Sequence, residues 1–377
     1  MSLKVNIYRT FREDQRISMD MYAYYLDHYI KKNYNSVINI SSFTPKMMIS
    51  KFLPSKLQMR FARYIEYPYQ IRKNYQNYEI NHIIDHGYSH LVRYPLNKKN
   101  TIVTVHDIIP ILAWKGFIPN FSYPHKPRLV EYSINSLKNA AHIIAVSQNT
   151  KKDLIDHCGL KNENISVIYN GCNSSFKPLQ ISQRKQLRNN KFKFPRDSYL
   201  ILITGEGYKN HETTLKILKE LRSKKKNIYL VRLGPKNQNW ENLKDYFSLN
   251  QYVIEFSGLD INVVSELYNA VDCLLFPSWY EGFGFPPLEA MANGLPVVAS
   301  NASSIPEVVG DAGLLYNPND IEGMIKGITL IMNDKKTKYE LINKGIKQSS
   351  LFTWENSVKK LINVYRSVIN NNNPIKK

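Results

Sequence analysis

Two glutamates bracket a glycine-containing loop in the second half of the chain. Glu281 and Glu289 lie eight positions apart in the segment EGFGFPPLE, which also holds two glycines and two phenylalanines. Carboxylates accept hydrogen bonds from vicinal hydroxyls, and the amides of a glycine loop donate to them. The combination suits a polyol, and a sugar or a ribose would both qualify. In the structural alternative, Glu281 is a surface carboxylate and Glu289 is a favourable acid in the first turn of a helix.

This loop is predicted to lie between a strand and a helix. The apolar run at residues 272–276 predicts the strand, and Pro286 or Pro287 suits the first turn of the helix. Open parallel sheets bind ligands at the carboxyl ends of their strands, where free amides of the loop and helix start can donate to ligand oxygens. The predicted position therefore favours a binding loop.

Two further polar side chains are predicted at the carboxyl ends of strands. Lys209 follows the predicted strand 199–204 and precedes a helix capped near Asn210, so its ammonium group and the helix N-terminus can act together. His106 ends the predicted strand 101–105. Taken alone, a lysine in such a place is often a solvated charge and a single histidine is often structural.

Short apolar runs alternate with helix-length segments along nearly the whole chain, which is typical of βαβ units and parallel sheets. Many of these runs are nearly continuous in Val, Ile and Leu, as expected for strands covered on both faces. The predicted strands cover residues 4–8, 81–84, 101–105, 142–146, 165–169, 199–204, 228–233, 253–256, 272–276, 295–299 and 313–316. The fold class is therefore α/β, with two sets of parallel strands.

The length of 377 residues favours two domains. Residues 170–196 interrupt the pattern with turn-forming residues, and we interpret them as the interdomain linker. The predicted domains are residues 1–175 and 176–352. Residues 353–377 form an amphipathic helix, expected to cross back to the N-terminal domain, and a polar tail.

The composition indicates a globular protein with a strong basic excess. Hydrophobic residues make up 43% of the chain and the formal net charge is +20. This charge favours anionic partners such as nucleic acid, acidic lipid headgroups or phosphorylated small molecules. Three well-separated cysteines support neither a disulfide framework nor a zinc site. No signal peptide or membrane span is predicted, and a cytoplasmic setting fits best.

The segment EGFGFPPLE resembles the EX7E motif of the family-4 retaining glycosyltransferases of GT-B fold. Other segments resemble the same family in the family's order: HDIIP at 106–110, AVSQNTKKDL at 145–154, VIYNG at 167–171, AMANGLPVVASNASSIPEVVGDAGLL at 290–315 and FTWENS at 352–357. The resemblance implies a GT-B architecture, in which two Rossmann-like parallel-sheet domains face a central cleft.

The resemblance also implies roles for individual residues. Glu289 is at the position that holds the donor ribose hydroxyls, and Glu281 is beside the donor sugar. Lys209 is at the position of a lysine that contacts the pyrophosphate, and His106 is at that of a histidine near the transferred sugar. The other implied substrate-binding residues are Asn210, Gly282, Phe283, Gly284, Phe285 and Leu288, with backbone amides facing sugar hydroxyls and, around Leu288, the phosphates.

The implied reaction moves a hexose-type sugar from a GDP- or UDP-linked donor to a hydroxyl of a glycan or lipid-linked acceptor. It proceeds with retention of configuration and needs no metal or other cofactor. Two alternatives stay open: a GT-B epimerase acting on a nucleotide sugar, and a non-catalytic protein that binds glycans or other anions. Nucleic acid is not expected as a partner, and the oligomeric state is left open.

Two stretches depart from the family pattern. Tyr208 stands where the family usually has an arginine beside the lysine. The loop after the first strand lacks the family's glycine pair and carries Arg9, Arg12 and Arg16 instead. One of these arginines could supply charge that the glycine amides do not.

Residues 46–73 hold seven basic side chains against a single acid, Glu66, with aromatic and aliphatic residues between them. Such a stretch favours contact with an anionic membrane surface or with a lipid-phosphate acceptor. An ordinary helix with a solvated basic face is the alternative. We expect a cytoplasmic protein that is peripheral on the inner face of the membrane.

Overall fold

A computed structural model describes residues 2–123, 126–205 and 207–372. The chain forms two compact units. The first unit contains the described residues within 1–115, 123–171 and 354–377, and the second those within 116–122 and 172–353. The prediction assigned residues 116–122 to the first domain, whereas their contacts place them in the second unit.

The first unit is built on a parallel sheet that has six strands in the described part of the chain, in the order β2-β1-β3-β4-β5-β6. The strands are β1 (Leu3–Tyr8), β2 (Ile38–Phe43), β3 (Ile80–Ile83), β4 (Thr101–Val105), β5 (His142–Ala145) and β6 (Ile165–Val167). Every residue of β3 and β4 is buried, because helices cover both faces of a parallel sheet.

Strand β2 was not predicted. Its sequence, INISSF, has only two aliphatic residues, and polar residues follow each of them. It lies at the edge of the sheet, parallel to β1, and is only partly buried. An edge strand needs fewer apolar residues than a central one, so its pattern was too weak to be recognised.

The helices of the first unit begin with α1 (Ile17–Tyr34), α2 (Ser55–Phe61), α3 (Tyr67–Lys73), α4 (Ile109–Trp114), α5 (Arg128–Ser136) and α6 (Gln148–Cys158). A π-helical turn, Ala62–Glu66, joins α2 to α3. Ser147 caps α6 by accepting a hydrogen bond from the Thr150 amide at 2.9 Å.

The second unit has its own parallel sheet, with six strands among the described residues, in the order β12-β11-β10-β7-β8-β9. The strands are β7 (Tyr199–Thr204), β8 (Ile228–Leu233), β9 (Val253–Phe256), β10 (Cys273–Phe276), β11 (Val297–Ser300) and β12 (Leu314–Tyr316). The helices are α7 (Ile181–Gln186), α8 (His211–Lys224), α9 (Gln238–Phe247), α10 (Ile261–Ala270), α11 (Phe285–Ala292), α12 (Ile305–Val309), α13 (Ile321–Asn333) and α14 (Lys335–Ser349). Leu215, Leu218 and Leu221 form the apolar stripe of α8 and are buried in the core beside the sheet.

The stretch predicted as a linker is helical in its central part. Residues 181–186 form α7, and a π-helical turn, Leu187–Lys191, extends it. Arg184 Nε donates to the carbonyl of Asn269 at 2.9 Å, and Arg188 forms a 2.9 Å ion pair with Asp272. These contacts attach the segment to the second unit, which explains why turn-forming residues alone were a poor guide here.

The last helix, α15 (Trp354–Asn372), belongs by its contacts to the first unit. Its predicted apolar face is buried in the structure: Trp354, Val358, Leu361, Ile362, Tyr365 and Val368. The Trp354 ring stacks on Tyr25 of α1, with centroids 4.7 Å apart. The Tyr365 hydroxyl is hydrogen-bonded to His82 Nδ1 in β3 at 2.8 Å.

Candidate functional site

Lys209 and Glu281 lie next to each other at the carboxyl ends of two central strands of the second sheet. Their loops follow β7 and β10, which are neighbouring parallel strands, so both loops start at the same edge. Lys209 Nζ lies 2.5 Å from Glu281 Oε1, and the two side chains are only 13% and 8% exposed. The sequence predicted both residues but not that they form an ion pair.

Several contacts fix this ion pair. Ser278 Oγ donates to Glu281 Oε1 at 2.7 Å, and the Glu281 amide donates to Ser303 Oγ at 2.7 Å. The Lys209 ammonium group also lies 4.7 Å from the centre of the Phe276 ring, within the range of a cation–π contact. The Trp279 amide donates to the Tyr208 carbonyl at 2.9 Å, which ties the two loops together.

Ser304 holds the glycine loop from below. Its hydroxyl lies 2.9 Å from the Glu281 carbonyl and 2.8 Å from the Phe283 carbonyl, to which it donates. Two more serines of the segment 290–315 also hold this region: Ser300 Oγ donates to the Ser278 carbonyl, and Ser303 Oγ accepts from the Glu281 amide. No role was predicted for them. A cluster of serines directly after a predicted buried strand is the signal that could have found them.

Glu289 lies in α11 and is partly exposed. Its Oε2 accepts a hydrogen bond from the Tyr268 hydroxyl at 3.0 Å. Burial raises the pKa of the Glu289 carboxyl to about 7, while the Tyr268 hydrogen bond and the charge of Lys209 oppose this rise. Near neutral pH this carboxyl can therefore exchange between an acceptor-only anion and a neutral acid that also donates.

The helix that carries Glu289 begins at Phe285, one residue before the predicted prolines. Its N-cap, Gly284, has a φ of +108°, and a Cβ built there would have no neighbour within 4 Å. The next two helical residues are Pro286 and Pro287, which have no amide hydrogen. Neither proline can therefore donate a backbone hydrogen bond to a ligand.

The side chains of the other loop residues pack rather than point to solvent. Phe283 is buried, and its ring contacts Phe285 and Phe352 edge to face, with centroids 5.2 and 5.9 Å apart. Leu288 is fully buried, and its amide donates to the Gly284 carbonyl at 3.4 Å. A phosphate contact at the Leu288 amide stays a prediction, and it would have to share this helical hydrogen bond.

Asn210 is the N-cap residue of α8, but its side chain does not cap the helix. It has a φ of +59°, and its Nδ2 donates to the Pro318 carbonyl at 3.0 Å. This contact fixes the backbone next to Lys209. Asn210 is therefore a structural anchor of the loop in this structure, while its predicted contact with substrate stays a prediction.

Two buried polar atoms flank the Lys209 loop without a hydrogen-bond partner among the described residues: Thr204 Oγ1 and His211 Nε2. Burial lowers the pKa of His211 to about 4, so the ring is neutral at neutral pH. Buried polar groups are nearly always hydrogen-bonded in folded proteins. Two such atoms beside one loop favour a ligand-binding site there. Neither Thr204 nor His211 was predicted to belong to the site.

His106 lies in the first unit, directly after β4, and is buried. Its Nε2 is 2.9 Å from the Ile84 carbonyl, which can only accept, so Nε2 carries the proton. Burial lowers the pKa of His106 and keeps the ring neutral. Nδ1 is therefore the hydrogen-bond acceptor of this side chain.

The residues at the two departures from the family pattern have structural partners. Arg16 forms an ion pair with Asp85, so its charge is compensated within the first unit. Tyr208 contacts Phe121 edge to face, with centroids 5.7 Å apart. Arg232, at the end of β8, is buried against Trp240 and donates to the Pro235 carbonyl at 2.8 Å. It also forms a 3.2 Å ion pair with Glu255, so its charge is compensated within the second unit.

Within the described ranges, no group of three or more His, Cys, Asp or Glu side chains is arranged to hold a metal ion. In that same part of the chain, no helix is both long enough and apolar enough to cross a membrane.

Two α/β units, each built on a parallel sheet, are the architecture of the GT-B class of glycosyltransferase folds, and the similar solved structures share it. Two family models match the chain: "Glycosyltransferase Family 4" at residues 44–176 and "Glycosyl transferases group 1" at residues 184–348. The chain belongs to this family of GT-B glycosyltransferases.

Curated relatives include two mannosyltransferases of Escherichia coli. The serotype-specific mannosyltransferase WbdA is 28% identical over 292 residues, which is 74% of this chain but 35% of WbdA. The chain thus spans about a third of that relative's length. The O-antigen chain mannosyltransferase B is 28% identical over 279 residues, covering 72% of this chain and 71% of that protein.

Among solved structures, HepE from Anabaena, in complex with UDP and glucose, has a TM-score of 0.72 and 16% sequence identity. The match covers 97% of this chain and 99% of HepE. At this identity, the likeness shows the shared fold.

Proposed function

We propose that this protein transfers a hexose from a nucleoside diphosphate sugar to a glycan or lipid-linked acceptor. The observation that carries the proposal is the largely buried ion pair between Lys209 and Glu281 at the carboxyl edge of the second sheet. A largely buried cation beside the N-terminus of α8 provides what a departing diphosphate needs, because negative charge grows on it during transfer. The names of the relatives support mannose as the first sugar to test, and the UDP complex of HepE supports a nucleotide donor.

In this proposal Lys209 has two alternative partners. Without donor it pairs with Glu281, and in the donor complex it turns toward the diphosphate while Ser278 and the Ser303 hydroxyl keep the Glu281 loop in place. Glu281 then accepts hydrogen bonds from donor sugar hydroxyls. Glu289 accepts from the ribose hydroxyls, and Nδ1 of His106 accepts from a hydroxyl of the transferred sugar.

We further propose retention of anomeric configuration without a metal ion. Glu281 is tied to a lysine and two serines, so it is better suited to positioning than to acting as a nucleophile. The acceptor proton would pass to a donor phosphate oxygen on the same face of the sugar. Neither an epimerase nor a non-catalytic binding protein is favoured, because the relatives are named as transferases.

The test is product analysis with GDP- and UDP-hexoses and mannose-terminated oligosaccharides as acceptors. We expect release of one nucleoside diphosphate per glycosidic bond, an α-linked product from an α-linked donor by NMR, and unchanged turnover in EDTA. An isomerised nucleotide sugar without nucleotide release would establish the epimerase instead. Inversion or loss of activity in EDTA would overturn the stereochemical or the metal-independent part.

We also keep a cytoplasmic location, with peripheral attachment to the inner face of the membrane, as a proposal. It is supported by the basic excess of the chain and by exposed apolar side chains near α2, including Ile49, Phe52 and Leu57. The expected result is salt-sensitive binding to vesicles that contain acidic lipid. Equal binding to neutral vesicles at high salt would contradict it.

A further inference from the structure

A cationic cavity lies in the first unit, between the basic stretch 46–73 and the start of α5. It has a volume of about 580 Å³ and is lined by Met59, Arg60, Arg63, Tyr64 and residues 126–130. We call it the arginine pocket. Four of its lining residues are cations, namely Arg60, Arg63, Lys126 and Arg128, and none is a carboxylate.

Two of the four cations have carboxylate partners nearby. Arg63 pairs with Asp14 at 2.5 Å, and Lys126 pairs with Glu131 at 2.9 Å. For the exposed residues Arg60 and Arg128, no ion pair is found within the described part of the chain. The pocket therefore keeps two uncompensated guanidinium groups, which are suited to bind phosphate oxygens in pairs.

The wall that carries Arg63 is held in place by hydrogen bonds. Arg63 and Tyr64 lie in the π-helical turn Ala62–Glu66, and such turns are frequent at functional sites. The Tyr64 hydroxyl donates to the Leu129 carbonyl at 2.9 Å, which joins the turn to α5. His90 Nε2 donates to the Arg63 carbonyl at 2.9 Å, so the backbone of the turn is held from behind. The cations are thus presented on a scaffold that is already formed.

The pocket is not purely polar. Met59, Leu129 and Val130 contribute apolar wall, and exposed apolar side chains continue beyond it at Leu57 and Ile65. Inorganic phosphate would leave these side chains in water. An ester that joins phosphate to a hydrocarbon chain would cover them and gain hydrophobic free energy.

We propose that the arginine pocket binds the phosphate or diphosphate group of an amphiphile whose hydrocarbon part lies along the apolar wall. The inference deepens the proposed function, on which it rests, because it gives the acceptor a chemical class: a sugar or glycan attached to a lipid phosphate. The same chemistry is present in the headgroups of anionic bilayer lipids, and the experiment separates these two sources.

The test compares the full chain with a variant that combines Arg60→Gln and Arg128→Gln. A matched control combines Arg196→Gln and Lys219→Gln, which removes the same charge from exposed positions of the second unit. The probes are farnesyl diphosphate, inorganic pyrophosphate and phosphatidylcholine vesicles that contain phosphatidylglycerol. Excess UDP and GDP occupy the donor site throughout.

Wild type and the control should bind farnesyl diphosphate, and the pocket variant should bind it about tenfold more weakly for each arginine removed. Pyrophosphate should bind wild type more weakly than farnesyl diphosphate does. If vesicle binding is unchanged in the pocket variant, the source is a lipid-linked acceptor. If the pocket variant loses both vesicle binding and farnesyl diphosphate binding, the pocket also binds bilayer headgroups. If it loses vesicle binding alone, the pocket binds bilayer headgroups and the lipid-linked acceptor is contradicted.

The proposal is overturned if the pocket variant binds farnesyl diphosphate and the vesicles as tightly as the control does. It is also overturned if pyrophosphate binds wild type as tightly as farnesyl diphosphate does. A second variant, Arg60→Lys with Arg128→Lys, keeps the charge and should retain intermediate affinity. Nucleotide-induced thermal stabilisation is measured on every variant. Its absence in wild type would contradict the donor site, whereas its presence with no effect at the pocket would contradict only this inference.

Discussion

At the scale of single residues, the Lys209–Glu281 pair is the central feature of the second unit. A buried ion pair is costly to break from one side, because the remaining charge stays in a poorly solvated place. A substitution of Lys209 should therefore change both the free energy of unfolding and donor binding, and the two effects are measured separately.

We expect Lys209→Met to lower the free energy of unfolding by about 3 kcal/mol, because it leaves Glu281 unpaired. Adding Glu281→Gln should restore part of this stability but not turnover. The measurement is urea unfolding together with nucleotide release. Lys216→Met is the matched control in α8, since Lys216 forms an exposed ion pair with Glu212 at 2.7 Å, and its effect should stay below about 1 kcal/mol. Equal effects of the two lysine variants would contradict the account.

Glu289 predicts a pH dependence of donor binding. Its pKa is raised from 4.5 to about 7, so the folded protein holds this proton up to near neutral pH. If the anion accepts the ribose hydroxyls, affinity for a nucleotide sugar should fall as the pH drops below about 7, and Glu289→Gln should bind weakly without this dependence. Calorimetric titrations across this range test the prediction. A wild-type affinity that does not change with pH would contradict it.

The same raised pKa affects stability with the opposite sign. The proton on Glu289 favours the folded state below the unfolded pKa of about 4.5, and this contribution is lost as the pH rises through 7. The stability of Glu289→Gln relative to wild type should therefore be higher above pH 7 than at acid pH. Urea unfolding of both proteins across this pH range measures the difference. A constant difference at all pH values would show that the carboxyl is not shifted.

At the scale of elements, the glycine loop and the start of α11 act as one unit. Two consecutive prolines remove amide hydrogens from the first helical turn, so ligand-facing donors must come from the residues before them. The positive φ of Gly284 is what turns the backbone there.

We expect Gly284→Ala to weaken nucleotide binding as well as to destabilise the fold. Its φ of +108° costs a non-glycine residue about 1–3 kcal/mol. Gly258→Ala is a matched control, because Gly258 has a φ of +65° and equally open space for a Cβ, but follows β9. Thermal unfolding and nucleotide titration of both variants test this. If Gly258→Ala weakened binding as much, the effect would be strain and not a loop function.

How far the sequence predicts these elements depends on their surroundings. The buried strands were recognised because they are continuous in Val, Ile and Leu, and the apolar face of α15 was recognised by its spacing. Strand β2 and helix α7 were missed because partners elsewhere in the fold stabilise them, and their own sequences carry little signal. In the site, Glu281 and Lys209 were proposed from their motifs, and their contacts with substrate stay predictions. Tyr268 was not proposed, because a hydroxyl that binds a carboxylate of another helix has no local pattern.

At the scale of the whole molecule, both units carry buried neutral histidines. Burial lowers the pKa of His82 to about 3, and that of His90 and His211 to about 4. Each ordinarily titrates near 6.5, so the unfolded chain takes up protons that the folded chain does not.

Stability should therefore fall as the pH drops from about 6.5 toward 4, by about 1.4 kcal/mol per pH unit for each histidine, offset in part by the proton that Glu289 takes up in the same range. Urea unfolding followed between these values tests the prediction. His211→Gln removes one such histidine from the second unit, so it should reduce the slope of the free energy of unfolding against pH by about one proton. A wild-type slope of zero in this window would contradict the buried, neutral state of these rings.

The most direct test of the central claim is nucleotide binding to the second unit's site in the full chain. Wild type, Lys209→Met and Lys216→Met are compared by thermal unfolding with UDP, GDP and their hexose derivatives. A ligand at 100 times its dissociation constant should stabilise wild type and Lys216→Met by about 2.7 kcal/mol, with most of this lost in Lys209→Met. If no nucleotide stabilises wild type, or if Lys209→Met is stabilised equally, the donor site is not where Lys209 and Glu281 meet.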